Sequence, residues 1–356
     1  MSGLPPLGLC DLRARHERVR EDLERRVLEV LRSGRFIGGP VVDEAEQAVA
    51  GLLGRRLGVG VGSGTDALTL ALASLGVGEG DEVIVPAVSF FATVESVLLC
   101  GARPVIVDVR EDRPLLDPDA VARAMGPKVK AVVPVHLFGD RAELAGCPVP
   151  VVADGAQVVG ADPAPTDGLL TAVSFYPTKV LGAAGDGGLV ATDDPELALR
   201  VRRLGSHGMP ANHVHERVAG HIGRNSRLDA VQAAVLLAHL PRLAERLARR
   251  REIAARLDLA LPGLALPRDP GSPVSVYVIQ HPDRDALAQR LARRGIGSSV
   301  YYPTPMGTQA AVAGLARVEP APHAERFCQR ALALPCHEDL AEPDLDRLVH
   351  ALAQEV

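Results

Sequence analysis

The sequence predicts an α/β protein. Its large domain, residues 1–250 including the N-terminal segment, is expected to have a mostly parallel, mixed sheet flanked by helices; a smaller α+β domain follows over residues 251–356. Three observations carry this. From Leu57 to Ala191 short apolar runs alternate with helical stretches, the pattern of strands laid side by side with helices on the sheet faces. One long stretch with helical apolar spacing, Arg227 to Ile253, then leaves that alternation. A Pro/Gly-rich stretch, Pro267 to Pro273, separates it from one further strand and two helices.

Residues 16–33 place charged and apolar side chains at helical spacing until Ser33-Gly34 breaks the pattern, so a helix is expected to end there. Strands are expected at Leu57–Val61, Glu82–Pro86, Pro104–Val107, Ala131–Pro134, Val149–Ala153, Ala172–Phe175 and Leu189–Ala191. Helices are expected between them at Asp66–Leu75, Ala92–Cys100 and Pro118–Ala124. Pro241 has no N–H to donate and should kink or divide the long helix. In the smaller domain a strand is expected at Val274–Gln280 and helices at Asp285–Arg294 and Asp344–Glu355. Pro343 stands at the last entrance, where a missing N–H costs nothing.

Composition narrows the class. With 47% hydrophobic residues in 356, the chain can bury a substantial core. Net charge is −5 with no basic tract, so neither a nucleic-acid groove nor an anionic membrane surface is expected as partner, and small molecules are. The five cysteines are scattered without CxxC spacing and their number is odd, which fits a reducing cytoplasm better than a disulfide framework. No apolar h-region follows the first basic residue, Arg13, and no run reaches the roughly 18 apolar residues of a membrane span. A soluble, cytoplasmic, untargeted protein is the expectation.

Lys179 is one of only three lysines, and arginine carries nearly all the other positive charge. Guanidinium stays protonated in proteins, whereas a desolvated ammonium gives up its proton, so a lysine kept in Ser174-Phe-Tyr-Pro-Thr-Lys179 suits covalent amine chemistry. A surface lysine in a turn is the alternative. Three other segments have the chemistry to complete a pyridoxal 5′-phosphate site around it. Gly62-Ser-Gly64-Thr65-Asp66 leads a strand into a helix whose free N–H groups, with the Thr65 hydroxyl, would cradle a phosphate; an ordinary capped turn would look the same. Val151-Val-Ala-Asp154 ends a buried strand in a carboxylate, which could keep a pyridine nitrogen protonated or could equally cap a helix or bind metal. No His/Cys/Glu cluster at ligand spacing surrounds Asp154, so no metal site is expected. Phe90 and Phe91 follow a strand end, where either could stack on a ring or belong to the core.

In this order the segments resemble the DegT/DnrJ/StrS family of nucleotide-sugar aminotransferases, within the fold-type I, aspartate aminotransferase-like pyridoxal phosphate enzymes. The resemblance covers nearly the whole chain. It runs through Ser33-Gly-Arg-Phe-Ile-Gly-Gly-Pro40, Gly62-Ser-Gly-Thr-Asp-Ala-Leu68, Gly80-Asp-Glu-Val-Ile-Val-Pro86 and Val133-Pro-Val-His-Leu-Phe-Gly139. It continues through Asp154-Gly-Ala-Gln157, Ser174 to Lys179, Gly185-Asp-Gly-Gly188, Asn225-Ser-Arg-Leu-Asp229 with Gln232-Ala-Ala234, and Leu334-Pro-Cys-His337. The resemblance implies that Lys179 forms the internal aldimine and shuttles protons, with Asp154 on the pyridine nitrogen and Gln157 near the phenolic oxygen. It sets Phe90 on a ring face and Gly64, Thr65 and Ser174 on the phosphate. It also implies a homodimer with shared active sites, in which Asn225 reaches the partner's cofactor and Arg227 the substrate; a helix-terminal salt bridge is the other reading of Arg227.

The implied reaction moves an amino group from glutamate to a keto group of a nucleotide-linked sugar, in amino-sugar and polysaccharide biosynthesis. His207-Gly-Met, His213-x-His215 and Ile222-Gly-x-Asn225 look more like members that aminate 3-keto sugars, including UDP-linked 3-keto N-acetylhexosamines or their uronic acids. A 4-keto or cyclitol acceptor is the nearest alternative; a non-catalytic regulatory protein is the alternative of another class. His213 and His215 are expected in a loop, and Arg224 could meet a phosphate or simply solvent. Tyr301-Tyr302-Pro303 stands where His-Tyr-Pro is frequent in the family, leaving Tyr302 as a substrate-side candidate and the usual histidine contact in doubt.

Overall fold

A computed structural model describes residues 6–165, 167–211 and 213–356. The chain opens with helices α1 (Leu12–Glu17), α2 (Arg20–Ser33) and α3 (Pro40–Leu52). Then come β1 (Leu57–Val61), α4 (Gly64–Ser74), β2 (Glu82–Pro86), α5 (Ala92–Leu99), β3 (Arg103–Val107), α6 (Pro118–Ala124) and β4 (Val129–Val132). Strands β5 (Val152–Asp154), β6 (Leu170–Ser174) and β7 (Gly188–Thr192) precede α7 (Pro195–Leu204), α8 (Ala230–His239) and α9 (Leu243–Ala260). The remainder is β8 (Tyr277–Gln280), α10 (Arg284–Arg293), β9 (Arg317–Val318), α11 (Pro322–Arg330), β10 (Ala331–Leu334) and α12 (Glu342–Glu355).

The large sheet has the order β1-β7-β6-β5 on one side and β4-β2-β3-β9 on the other. Parallel bridges Val132–Val151 and Val135–Asp154 join the halves. β5 and β6, β2 and its neighbours, and β3 and β9 pair in parallel, while β7 runs antiparallel to both β1 and β6. The sheet is thus mixed and mostly parallel, as its alternating sequence predicts. A second pair, β8 with β10, is antiparallel.

α4 explains how the sheet is covered. Ala67, Leu68, Leu70, Ala71, Leu72 and Ala73 leave it no polar face, and it is buried between β5–β7 and α5. The opposite face of β6 and β7 carries Val173, Phe175, Leu189 and Ala191, which pack with Val42 and Val49 of α3 and Leu236 of α8. A third core joins Ile253 and Leu257 of α9, Leu287 and Leu291 of α10, and Leu345 and Leu348 of α12 to β8, β10 and Leu7. Residues after 300 also return to the large sheet: β9 pairs with β3, and Met306, Val312 and Phe327 join the core under α4 and α5.

Several boundaries differ from the sequence expectation. The helix of residues 16–33 is two helices, since after α1 the N–H groups of Arg18 and Val19 close a turn onto Ala14 and His16 and redirect the chain. Pro241 divides the long helix outright, sitting in a 3-10 turn between α8 and α9. The strand expected at 149–153 is only Val152–Asp154, because Val151 makes just an isolated bridge. α3 and α7 had no counterpart in the expectation, although Pro40, and Asp194-Pro195 with its capping carboxylate, mark their starts.

Candidate active site

The carboxyl ends of β1, β2, β5 and β6 open on one cavity of about 730 Å³. Ligands collect at such strand ends in open α/β sheets. Gly64, Thr65, Phe90, Asp154, Gln157, Ser174, Lys179 and Tyr302 all line it.

At the β1–α4 junction Ser63 caps the helix, its hydroxyl accepting from the Asp66 N–H at 3.1 Å. The first N–H groups of a helix have no intrahelical acceptor, and here the residues that carry two of them, Gly64 and Thr65, line the cavity with Ser174 beside them. Two glycines make this junction possible. A Cβ on Gly64 would lie 2.6 Å from the Ser174 Cβ, and one on Gly188 would lie 2.3 Å from the Ser63 carbonyl oxygen. The cup is therefore built at backbone contact distance, with α4, β6 and β7 locked against one another.

Asp154 is buried at the end of β5. Its Oδ2 accepts from the Thr93 hydroxyl at 2.9 Å and its Oδ1 from the Ala156 N–H at 3.1 Å; Ser89 in turn lies 2.7 Å from the Thr93 oxygen. Burial pushes its carboxyl above the ordinary range, opposed by the Ala156 N–H, the Thr93 hydroxyl and the charge of Lys179. Lys179 sits in the turn after β6, its N–H donating to the Tyr176 carbonyl at 2.8 Å. Burial lowers its pKa, and Asp154 opposes that. The pair thus combines an amine readied to lose its proton with a desolvated carboxylate able to hold a cationic nitrogen.

Gln157 accepts from the Phe138 N–H and stands with Tyr302 in the cavity wall. Burial, then Asp154 and Tyr301, raise the Tyr302 phenol, so it stays a neutral hydroxyl. Phe90 is 61% exposed at the mouth, its ring centroid 6.5 Å from that of Tyr302, so it is not a core residue. Phe91, by contrast, packs against the core.

Asn225 and Arg227 do not line the cavity. They lie on the segment before α8, where Arg227 donates to the Asn225 Oδ1 at 2.6 Å and its own Nε is buried without a hydrogen-bond partner. His213 and His215 are exposed in a loop, His215 Nδ1 lying 3.0 Å from the His207 carbonyl oxygen. Arg224 pairs with Asp66 of α4 at 3.3 Å. Sequence reasoning gave no part to Ser89, Thr93, Tyr176 or Asp186, and none to the buried cluster of Arg15, Arg246, Arg250 and Glu338 beside the lysine turn. Small hydroxyl residues and arginines common throughout the chain give no sign of such placement.

The DegT/DnrJ/EryC1/StrS aminotransferase family model matches residues 17–353. The chain belongs to this family. It is accordingly a pyridoxal phosphate-dependent sugar aminotransferase. The aminotransferase is 38% identical over 98% of its length, and 96% of the relative's, to the dTDP-3-amino-3,4,6-trideoxy-alpha-D-glucose transaminase of Streptomyces venezuelae. It is 39% identical, over 96% of both chains, to the UDP-N-acetyl-3-dehydro-alpha-D-glucosamine 3-aminotransferase of Acidithiobacillus ferrooxidans. The crystal structure of Streptomyces venezuelae DesV superposes with a TM-score of 0.93 at 37% identity, covering 99% of this chain and 98% of that one. The residues in hand fit the cofactor, since the cup at Gly64 suits a dianion and Asp154 a protonated ring nitrogen. Among the described residues no helix is long and apolar enough to cross a membrane.

Proposed function

We propose that this aminotransferase carries an amino group from glutamate to carbon 3 of a nucleotide-linked keto sugar, such as a UDP-linked 3-keto N-acetylhexosamine or its uronic acid. The observation that carries the amine chemistry is the convergence of Lys179, Asp154 and the Gly64–Ser174 cup on one cavity. Support for the position comes from the two relatives named above, both of which are named for nitrogen at carbon 3.

Bound pyridoxal phosphate supplies an electrophilic carbonyl and an electron sink. In this reading Gly64, Thr65 and Ser174 hold its phosphate, and Phe90 closes one face of the ring. Asp154, fixed by Thr93 and Ala156, keeps a proton on the ring nitrogen. Gln157 and Tyr302 orient the group by hydrogen bonds at its oxygen side. Lys179 would be the amine that holds the cofactor's carbonyl carbon and would supply the base for proton transfer in both half reactions; its lowered pKa raises the fraction of free amine near neutral pH. The chain works in the cytoplasm as a homodimer, the exposed Asn225 and its partner Arg227 serving the neighbouring subunit's site.

The test is a visible spectrum of the protein loaded with pyridoxal phosphate, before and after glutamate, followed by dTDP- and UDP-linked 3-keto and 4-keto sugars and a free keto cyclitol. Loss of the band with glutamate and its return with a nucleotide-linked 3-keto sugar is expected. Return only with a 4-keto sugar or the cyclitol would overturn the acceptor assignment.

A further inference from the structure

Beside the lysine turn, Glu338 is buried and meets three buried guanidinium groups. Arg15 Nε lies 3.1 Å from its Oε1, Arg246 Nε donates to Oε1 at 2.7 Å, and Arg250 Nε donates to Oε2 at 2.7 Å. One carboxylate cannot neutralise three cations, and each guanidinium also sends one Nη to main-chain carbonyls, while Arg15 Nη2 and Arg246 Nη1 are buried without a hydrogen-bond partner. Arg15 Nη1 donates to the carbonyls of Pro177 at 3.1 Å and Lys179 at 2.9 Å. Arg246 Nη2 donates to that of Val180 at 2.6 Å. Arg250 Nη1 reaches the carbonyl of Val274, just before Ser275 and Val276 of the cavity wall, at 2.9 Å, and that of Cys336 at 3.1 Å.

Residues 176–180 belong to neither helix nor strand, so no ladder or helix bond fixes these carbonyls. Their fixed partners are the guanidinium forks. We propose that Arg15, oriented by Glu338, is a positioning residue for Lys179: it holds the backbone of the lysine turn and thereby sets the aim and the desolvation of the amine. This rests on the reading of Lys179 as the reacting amine. The fork matters as much as the charge, because a guanidinium presents several donors in one rigid plane and an ammonium does not. Among the described residues, the ionisable groups around the turn are Asp154, Asp186, Tyr176 and Tyr302 in the cavity wall, and on the other side the four members of the cluster with Asp339, which also acts on Arg15.

The experiment compares wild type, Arg15→Ala and Arg15→Lys. With only three lysines native to the chain, Lys179 can be followed individually by amine labelling of cofactor-free protein across pH with peptide mass spectrometry, Lys128 and Lys130 serving as internal references. The dissociation constant for pyridoxal phosphate is read alongside. Burial is what lowers the Lys179 pKa, so a turn loosened by Arg15→Ala, which admits water to the amine, should raise the Lys179 midpoint by about half a pH unit or more. Cofactor affinity should fall about tenfold or more, because a supporting contact near the reacting group is lost. Arg15→Lys keeps the charge without the fork and should weaken cofactor binding in the same direction. A folded Arg15→Ala with unchanged Lys179 midpoint and cofactor affinity, only its melting temperature lowered, overturns the proposal. If Arg15→Ala does not fold, wild-type cofactor affinity in Arg15→Lys overturns it. A wild-type protein that forms no visible band with pyridoxal phosphate would instead defeat the reading of Lys179 itself.

Discussion

Gly64→Ala should separate the packing of the cofactor cup from its chemistry. The added Cβ would stand 2.6 Å from the Ser174 Cβ, 3.1 Å from its Oγ and 3.2 Å from its Cα. Ordinary carbon contacts lie at roughly 3.5–4.0 Å, so the start of α4 and the end of β6 would have to part by about 1 Å. Neither side yields easily: α4 is buried from Ala67 to Ser74, and Gly188 already leaves no room beneath Ser63. Overpacking of this kind costs about 1–3 kcal/mol. A displacement of about 1 Å at the N–H cup should weaken pyridoxal phosphate binding by about 10- to 100-fold. Thermal unfolding of cofactor-free protein reads the first quantity and a visible titration with the cofactor reads the second. In Gly64→Ala/Ser174→Gly only the Ser174 Cα remains as a close neighbour, so most of the stability should return, while affinity stays low for want of the Ser174 hydroxyl. Wild-type stability and affinity in Gly64→Ala alone would refute both the close approach and the phosphate role.

Three further outcomes are expected. Lys179→Ala should abolish amino transfer while leaving the unfolding temperature of the cofactor-free protein nearly unchanged; sustained turnover would end the assignment of Lys179. His136 is buried with its Nδ1 accepting from the Ala142 N–H, and burial, with Arg141 adding to it, lowers its pKa from 6.5 to about 4. The unfolded chain therefore takes up this proton first, and stability is lost as pH falls from 6.5 toward 4, by at most about 3 kcal/mol. His136→Asn, which keeps an acceptor, should flatten that part of a pH–stability curve; an unchanged slope would contradict the assignment. For Glu338, burial raises the pKa, but Arg250, Arg15 and Arg246 outweigh it and hold the carboxyl well below the ordinary range. Its contribution is present above the unfolded value near 4.5 and is lost as pH falls below it. Glu338→Gln leaves three buried cations without their carboxylate and should cost about 3 kcal/mol or more in denaturant melts at neutral pH; a loss under half of that would show that the carbonyl contacts alone hold the arginines.

The sheet was legible because its strands are apolar runs between turn signals, and β1 and β2 fall where those runs lie. The residues that meet in the cavity were legible where a residue type is rare or its position constrained, as with Lys179 among so few lysines or Asp154 closing an apolar strand. Helix α3 was hard to see because its apolar positions mix with Asp43, Glu44 and Glu46, and Glu46 is itself buried against Arg202 and the Gly60 N–H. What the sequence hid most completely was the support behind the site. Arg15, Arg246 and Arg250 look like any of the solvent-facing arginines on α2 and α10; only the three-dimensional path of the chain brings them to one carboxylate.

That path also dictates an order of assembly. Arg15 leaves the ribosome early and Glu338 late, yet the two meet beside the turn that bears Lys179. Strands β1 to β7 of the large sheet can form during synthesis, but Arg15 lacks its carboxylate partner until Glu338 has been made. The full set of contacts around the lysine turn is therefore complete only after Glu338 has been made, later than most of the scaffold around it.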